Sequence, residues 1–231
     1  MFLSTNNKIK WKLLGIATAV VVVTVALGIA WFDKPLYLFM RHFDCAAWGW
    51  FDKIFDAKMW VGASFVLMCA FYGKKIVQSK PCLVNSQNKF SIFAFFRDFI
   101  VKTKNSYAFF VFCSVLSASI LAKVLKVLIG RARPIFFEAL DMTGFFPFSY
   151  EWAFNSMPSG HTVATFAGLV MLGMLAPRAK WFTWTLAIIV GASRVAYGAH
   201  WPTDVILGAF IGMVMADFAK AIWKRYQAKF E

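Results

Sequence analysis

Twenty consecutive residues, Leu13 to Phe32, carry no charged side chain. At about 1.5 Å of rise per residue a helix of this length crosses the roughly 30 Å hydrocarbon core of a bilayer. Asn105 to Ala122 repeats the pattern over 18 residues. Met59 to Gly73, Thr162 to Pro177 and Trp181 to Ser193 give uncharged runs of 15, 16 and 13, and Val205 to Ala216 gives 12, extendable to Trp223 past Asp217. Lys58 and Lys180 flank the short runs and can snorkel to lengthen them. The chain is 60% hydrophobic over 231 residues, more apolar surface than a soluble domain of that size can hide, so lipid must cover part of it. The expected fold is an all-α integral membrane protein, one domain over residues 1–231, built as a bundle of six transmembrane helices with short interfacial helices.

Lys8, Lys10 and Lys12 before the first run resemble the start of a signal peptide. The run is longer than a signal core and Gly28-Ile29-Ala30 is a poor cleavage site, so an uncleaved anchor is expected. A net charge of +14 invites a nucleic-acid reading, but the basic residues alternate by loop instead of clustering. The N-terminus, residues 74–104, residues 178–180 and the C-terminal tail hold 16 of the Lys and Arg, against Asp98, Asp217 and Glu231. The other loops hold nine, against eight acids. By the positive-inside rule both termini are cytoplasmic in a bacterial-type plasma (inner) membrane, with no nucleic-acid partner. The excess of positive charge also attracts anionic lipid. Cys45, Cys69, Cys82 and Cys113 have no metal-like spacing; Cys45 and Cys82 fall on opposite faces, and no structural disulfide is expected.

Residues 33–58 read as the first outer loop, with Trp48, Trp50 and Phe51 suited to an interfacial helix. Residues 74–104 read as the main inner loop, with "KFSIFAFFRDFI" lying along the membrane surface. Residues 123–161 and 194–204 form the remaining outer loops. Gly208 and Gly212 make a GxxxG pair, read as close helix packing, with a homodimer contact as its other reading.

The outer loops carry a sparse set of polar residues. "KVLIGRARP" supplies Lys126, Arg131 and Arg133; seven residues are close to two helical turns, so Lys126 and Arg133 can share one helix face, which Pro134 then ends. "PSGH" sets Ser159 and Gly160 where a helix begins, with free N–H groups and the positive dipole end, an arrangement suited to an anion. "SRVAYGAHWPTD" supplies Arg194, His200 and, in the opening turn of the last helix, Asp204, which as a carboxylate can hold the His200 ring and fix its tautomer. Each group alone has an ordinary reading: snorkelling cations, a serine cap beside His161, an acid compensating a helix dipole. All three fall on one face of the expected topology. Together they supply cations and N–H donors for a phosphate, and a nucleophile and general acid to transfer it. His42 has no such company and reads as interfacial packing.

Lys126-x6-Arg133-Pro134, Pro158-Ser159-Gly160-His161 and Ser193-Arg194-x5-His200-x3-Asp204 resemble the three signature motifs of the type 2 phosphatidic acid phosphatase family. The motifs span residues 126 to 204, in the family's order and on its side of the membrane. The resemblance implies that Lys126, Arg133, Ser159, Gly160 and Arg194 bind phosphate. It implies His200 as nucleophile, Asp204 as its partner and His161 as proton donor to the leaving group, with no metal and no cofactor.

A site between spans implies a phosphorylated membrane lipid as partner and substrate. Undecaprenyl diphosphate is the first expectation and lipid A phosphate the second, followed by phosphatidylglycerol phosphate and phosphatidic acid. The competing class is a non-catalytic anionic-lipid binding or transport protein; it would also use Lys and Arg but gains nothing from a His–Asp pair beside a second histidine. Two dispersed histidines and one acid do not assemble a two-metal phosphatase centre.

Overall fold

The computed structural model describes residues 1–4, 8–78 and 92–227. Its elements are helices: α1 (Trp11–Leu27), a π-helical stretch (Gly28–Phe32), α2 (Asp33–Arg41), α3 (Ala46–Ile54), α4 (Ala57–Gln78), α5 (Ile92–Thr103), α6 (Tyr107–Ile129), α7 (Pro134–Leu140), α8 (Gly160–Leu175), α9 (Lys180–Ala196) and α10 (Pro202–Gln227). The only bridges among the described residues are isolated ones, Leu3 with Ile9 and Arg131 with Phe145. The all-α membrane architecture is therefore present. Among the described residues four helices are long and apolar enough to cross a bilayer: the continuous Trp11–Arg41 rod, α4, α6 and the Pro202–Arg225 part of α10. The expected count of six would need α8 and α9, which have only 16 and 17 residues.

The shortness of α8 follows from its place. It packs against α6, α9 and α10 and is buried continuously from Thr162 to Met171. A helix apolar on every side is a core helix, and one enclosed by others need not match the bilayer's thickness. Within lipid such packing rests on close van der Waals approach, which small residues permit. At Gly212 on α10 the two backbones approach closely: a Cβ there would lie 2.6 Å from the Val163 carbonyl oxygen. The face bearing the GxxxG pair is thus turned onto α8.

Residues 33–41, expected to begin a loop, continue the first helix instead. Pro35 lacks an N–H and its ring crowds the carbonyl four residues earlier. The π-helical widening at Gly28–Phe32 lies where that misfit must be absorbed, so the rod continues to Arg41. The expected interfacial helix in the first loop is α3. The aromatic segment of the inner loop is helical from Ile92, with Phe99 buried against Met68 and Phe109. Residues 74–78 of that loop extend α4, and residues 79–91, including Cys82, lie outside the described residues. Asp217, which interrupts the last apolar run, accepts from the Phe2 N–H (2.6 Å) and pairs with the Met1 amino group (3.0 Å).

Candidate active site

Lys126, Arg133, Gly160, His161, Arg194 and His200 line one cavity of about 460 Å³ at one end of the bundle. A larger groove of about 710 Å³, walled by Val170, Trp184 and Ile188, contains lysines but no histidine or carboxylate.

Lys126 and Arg133 do not share a helix face, contrary to the spacing argument. α6 stops at Ile129, and Gly130 caps it in the left-handed region (φ 61°) with its N–H on the Lys126 carbonyl (2.9 Å). A side chain at Gly130 would run into the Phe146 backbone, so glycine is required there both sterically and conformationally. Past the cap the chain turns back, pinned by Ala132 N–H to Gly144 O (3.0 Å) and Arg133 N–H to Ala153 O (3.0 Å). That turn brings Arg133 to the cavity as the N-cap of α7, with Pro134 opening the helix instead of closing α6.

Backbone carbonyls orient both cations. Lys126 Nζ donates to the Asn155 carbonyl at 2.5 Å. Arg133 donates to the carbonyls of Trp152 (3.0 Å) and Ala199 (3.1 Å), and its guanidinium lies 4.3 Å from the Trp152 ring centroid. Burial pushes the Arg133 pKa down to about 10; Asp204 opposes that shift and Arg194 adds to it. The group stays charged at neutral pH.

His200 is 2% exposed. Burial holds its pKa well below 6.5, an effect opposed by Asp204 and reinforced by Arg133 and Lys126. Its Nδ1 lies 3.6 Å from Asp204 Oδ2, ion-pair range but too long for a hydrogen bond, and 3.4 Å from Ser156 Oγ. Ser156 in turn donates to Asp204 Oδ2. The hydroxyl therefore stands between the acid and the ring, where the sequence suggested direct contact.

Asp204 is fully buried and accepts further bonds from the Trp201 N–H (3.0 Å) and Arg131 Nη1 (2.7 Å). Arg131 bridges to Asp33 Oδ2 at 2.6 Å. Asp33 also accepts from Thr203, backbone N–H at 2.9 Å and hydroxyl at 2.6 Å, and so caps α10 from the start of α2. Arg131 thus belongs to the support behind the site, not to its lining.

Ser159 is buried and absent from the cavity wall; its N–H donates to the Asp204 carbonyl (3.0 Å) and its hydroxyl accepts from Thr162 (2.9 Å). Of the "PSGH" turn, Gly160 and His161 face the cavity.

On the far wall, His161 Nε2 lies 3.0 Å from the Asp52 carbonyl oxygen, 3.1 Å from Asp52 Oδ1 and 3.4 Å from Asp56 Oδ2. Arg194 Nη1 lies 2.7 Å from the same Asp52 Oδ1, yet Nε and Nη1 make no hydrogen bond of good geometry among the described residues. Asp33, Asp52, Asp56 and Ser156 were missed by motif reasoning. The i,i+4 spacing of Asp52 and Asp56 beside an interfacial tryptophan cluster was a usable signal. Asp33 gave none, since a charge closing an apolar run is what any span end looks like. Among the described residues no three His, Cys, Asp or Glu side chains are placed to hold a metal ion.

Residues 107–228 match the PAP2 superfamily, just over half of the chain. The chain belongs to that superfamily. The three motif groups fall inside the matched region, whereas Asp52, Asp56 and Ala57 of the cavity wall lie before it. Among the chain's relatives, a lipid A 1-phosphatase of Rhizobium etli is 42% identical over 103 residues, 45% of this chain and 44% of that one. An undecaprenyl-diphosphatase of Sulfolobus acidocaldarius is 33% identical over 103 residues, 43% and 47% of the two chains. A putative undecaprenyl-diphosphatase of Escherichia coli is 34% identical over 82 residues, 33% and 39%. The matches cover less than half the length of these relatives. No solved structure matches the chain.

Proposed function

We propose that this protein is a membrane lipid phosphatase that transfers a headgroup phosphate to His200 and then to water. The observation that carries the reading is the convergence of Lys126, Arg133 and Arg194 with two histidines on one cavity at the end of an apolar bundle. Three cations suit a phosphate dianion and the extra charge that develops in its transfer.

Nδ1 of His200 is turned toward Ser156 and Asp204, which leaves Nε2 as the attacking atom. Burial favours the neutral ring, the form that can attack. As the Nε2–P bond forms, the bond from phosphorus to the leaving oxygen breaks with its electron pair, and protonated His161 gives that oxygen its proton. Water then attacks the phosphohistidine, His161 takes the water's proton, and phosphate leaves. Lys126, Arg133 and Arg194 carry the phosphoryl oxygens throughout, with the Gly160 N–H at the start of α8 beside them. Ser159 and Asp204 act from behind, holding the turn and the His200 ring.

The relatives' names favour a phosphate on lipid A as first substrate and undecaprenyl diphosphate as second, the reverse of the expectation from sequence. The 16-to-9 distribution of basic residues supports cytoplasmic termini and a site on the outer, periplasmic face.

The test is phosphate release by purified protein in detergent from lipid A, undecaprenyl diphosphate, phosphatidylglycerol phosphate and phosphatidic acid. It is paired with rapid quench and peptide mapping in alkali, which preserves phosphohistidine. Label on His200, absent in His200→Ala, is expected. Label on His161, or unchanged turnover in His200→Ala, overturns the mechanism.

A further inference from the structure

We propose that Asp52 is an internal anion that holds Arg194 and His161 in place in the empty site and yields Arg194 to the substrate's phosphate. The inference deepens the phosphatase reading and rests on it for the roles of those two residues.

One oxygen, Asp52 Oδ1, lies 2.7 Å from Arg194 Nη1 and 3.1 Å from His161 Nε2. These are a phosphate-binding cation and the proton donor, so a carboxylate oxygen stands between the groups that must meet the substrate. The neighbouring acid has a structural duty: Asp56 Oδ1 accepts from the Lys58 N–H at 2.7 Å, capping α4. Asp52 has no such duty. It sits in the last turn of α3, where a carboxylate caps no N–H group, and its side-chain partners are Arg194 and His161.

Arg194 supplies a second, independent sign. It is 3% exposed and lines the cavity; among the described residues its Nε has no hydrogen-bond partner and its Nη1 has only the ion pair with Asp52. Unsatisfied donors in a buried guanidinium are costly, so a pair that neutralises Arg194 without saturating it leaves room for a better ligand. A phosphate can take two of its donors at once.

The charged groups around His161 are Asp52 and Asp56 at the α3–α4 junction and Arg194 on α9. Lys126, Arg133 and His200 lie across the cavity, and Asp204 on α10 lies behind His200. Burial and Arg194 both disfavour a proton on the His161 ring, and Asp52 and Asp56 are the acids that oppose them.

The test compares wild type with Asp52→Asn and Asp52→Glu, using inorganic phosphate binding by calorimetry and the pH profile of kcat/KM. Removing the internal anion should tighten phosphate binding by roughly tenfold, since a competing like charge is gone. It should also move the alkaline limb, assigned to His161, down by about one pH unit. Asp52→Glu keeps the charge and should bind phosphate as wild type does. A residue that only braces the fold would weaken binding and turnover at every pH. Unchanged or weaker phosphate binding in Asp52→Asn overturns the proposal, as does tightening in Asp52→Glu. The binding arm needs no turnover. A wild type that binds phosphate but hydrolyses no lipid would refute the phosphatase reading while still testing Asp52.

Discussion

The buried network behind the site makes an ordered prediction about two substitutions, Asp33→Asn and Arg131→Met. Arg131 lies between two carboxylates, 2.6 Å from Asp33 and 2.7 Å from Asp204, and all three side chains are nearly inaccessible. Asp33→Asn leaves Arg131 paired with Asp204, and the amide oxygen can still accept from the Thr203 N–H. The loss is one charge-assisted hydrogen bond, about 1.5–3 kcal/mol, plus the misfit of an amide NH₂ facing two donors, about 1 kcal/mol. Arg131→Met instead strands two buried carboxylates opposite each other with no cation. Removing one partner of a buried pair costs roughly 3–5 kcal/mol, and here the repulsion adds to it. Thermal unfolding in detergent, followed by helical circular dichroism, should rank the variants. At roughly 2–4 °C per kcal/mol for a chain of this size, Asp33→Asn should melt about 5–15 °C below wild type. Arg131→Met should melt lower still or fail to fold. Near-equal melting of the two variants, or an Asp33→Asn within about 1 kcal/mol of wild type, would refute the reasoning that Asp33 and Asp204 share one essential cation.

Because burial depresses the His200 pKa, the ring should stay neutral below pH 6.5, and the acid limb of kcat/KM should lie under that value. The sign for stability is the same: the unfolded ring takes up a proton that the folded one refuses, so stability is lost as pH falls below 6.5. An acid limb at or above pH 7 contradicts this. Gly212→Ala should cost about 1–3 kcal/mol by overpacking, because its Cβ would lie 2.6 Å from the Val163 carbonyl oxygen; wild-type melting would show that α8 and α10 are looser than described. On the proposed roles of Lys126, Arg133 and Arg194 as phosphate carriers, turnover should survive EDTA; loss restored by a divalent ion contradicts that. An impermeant thiol reagent on intact cells should label a cysteine at Phe148 and spare one at Phe93, and the reverse pattern would put the site on the cytoplasmic face.

The membrane class was legible because it depends on local composition alone. Uncharged runs of 18 and 20 residues have few other fates, and the motif residues are close enough in sequence to name His161, His200, Arg194 and Lys126 together. What sequence could not carry was everything decided by where two distant segments meet. Lys126 and Arg133 converge through a left-handed cap and a turn pinned to residues 144 and 153, not through helical periodicity. Periodicity describes a helix only until something ends it. Asp33 supports Asp204 across 171 positions of chain, and an acid at the end of a span has the same local signature whether it caps a distant helix or faces water. The hydroxyl of Ser156 between His200 and Asp204, and the carboxylate of Asp52 between Arg194 and His161, depend on ångström-scale distances. Only tertiary packing sets those distances, because side chains from separate helices acquire a mutual geometry only when the bundle closes.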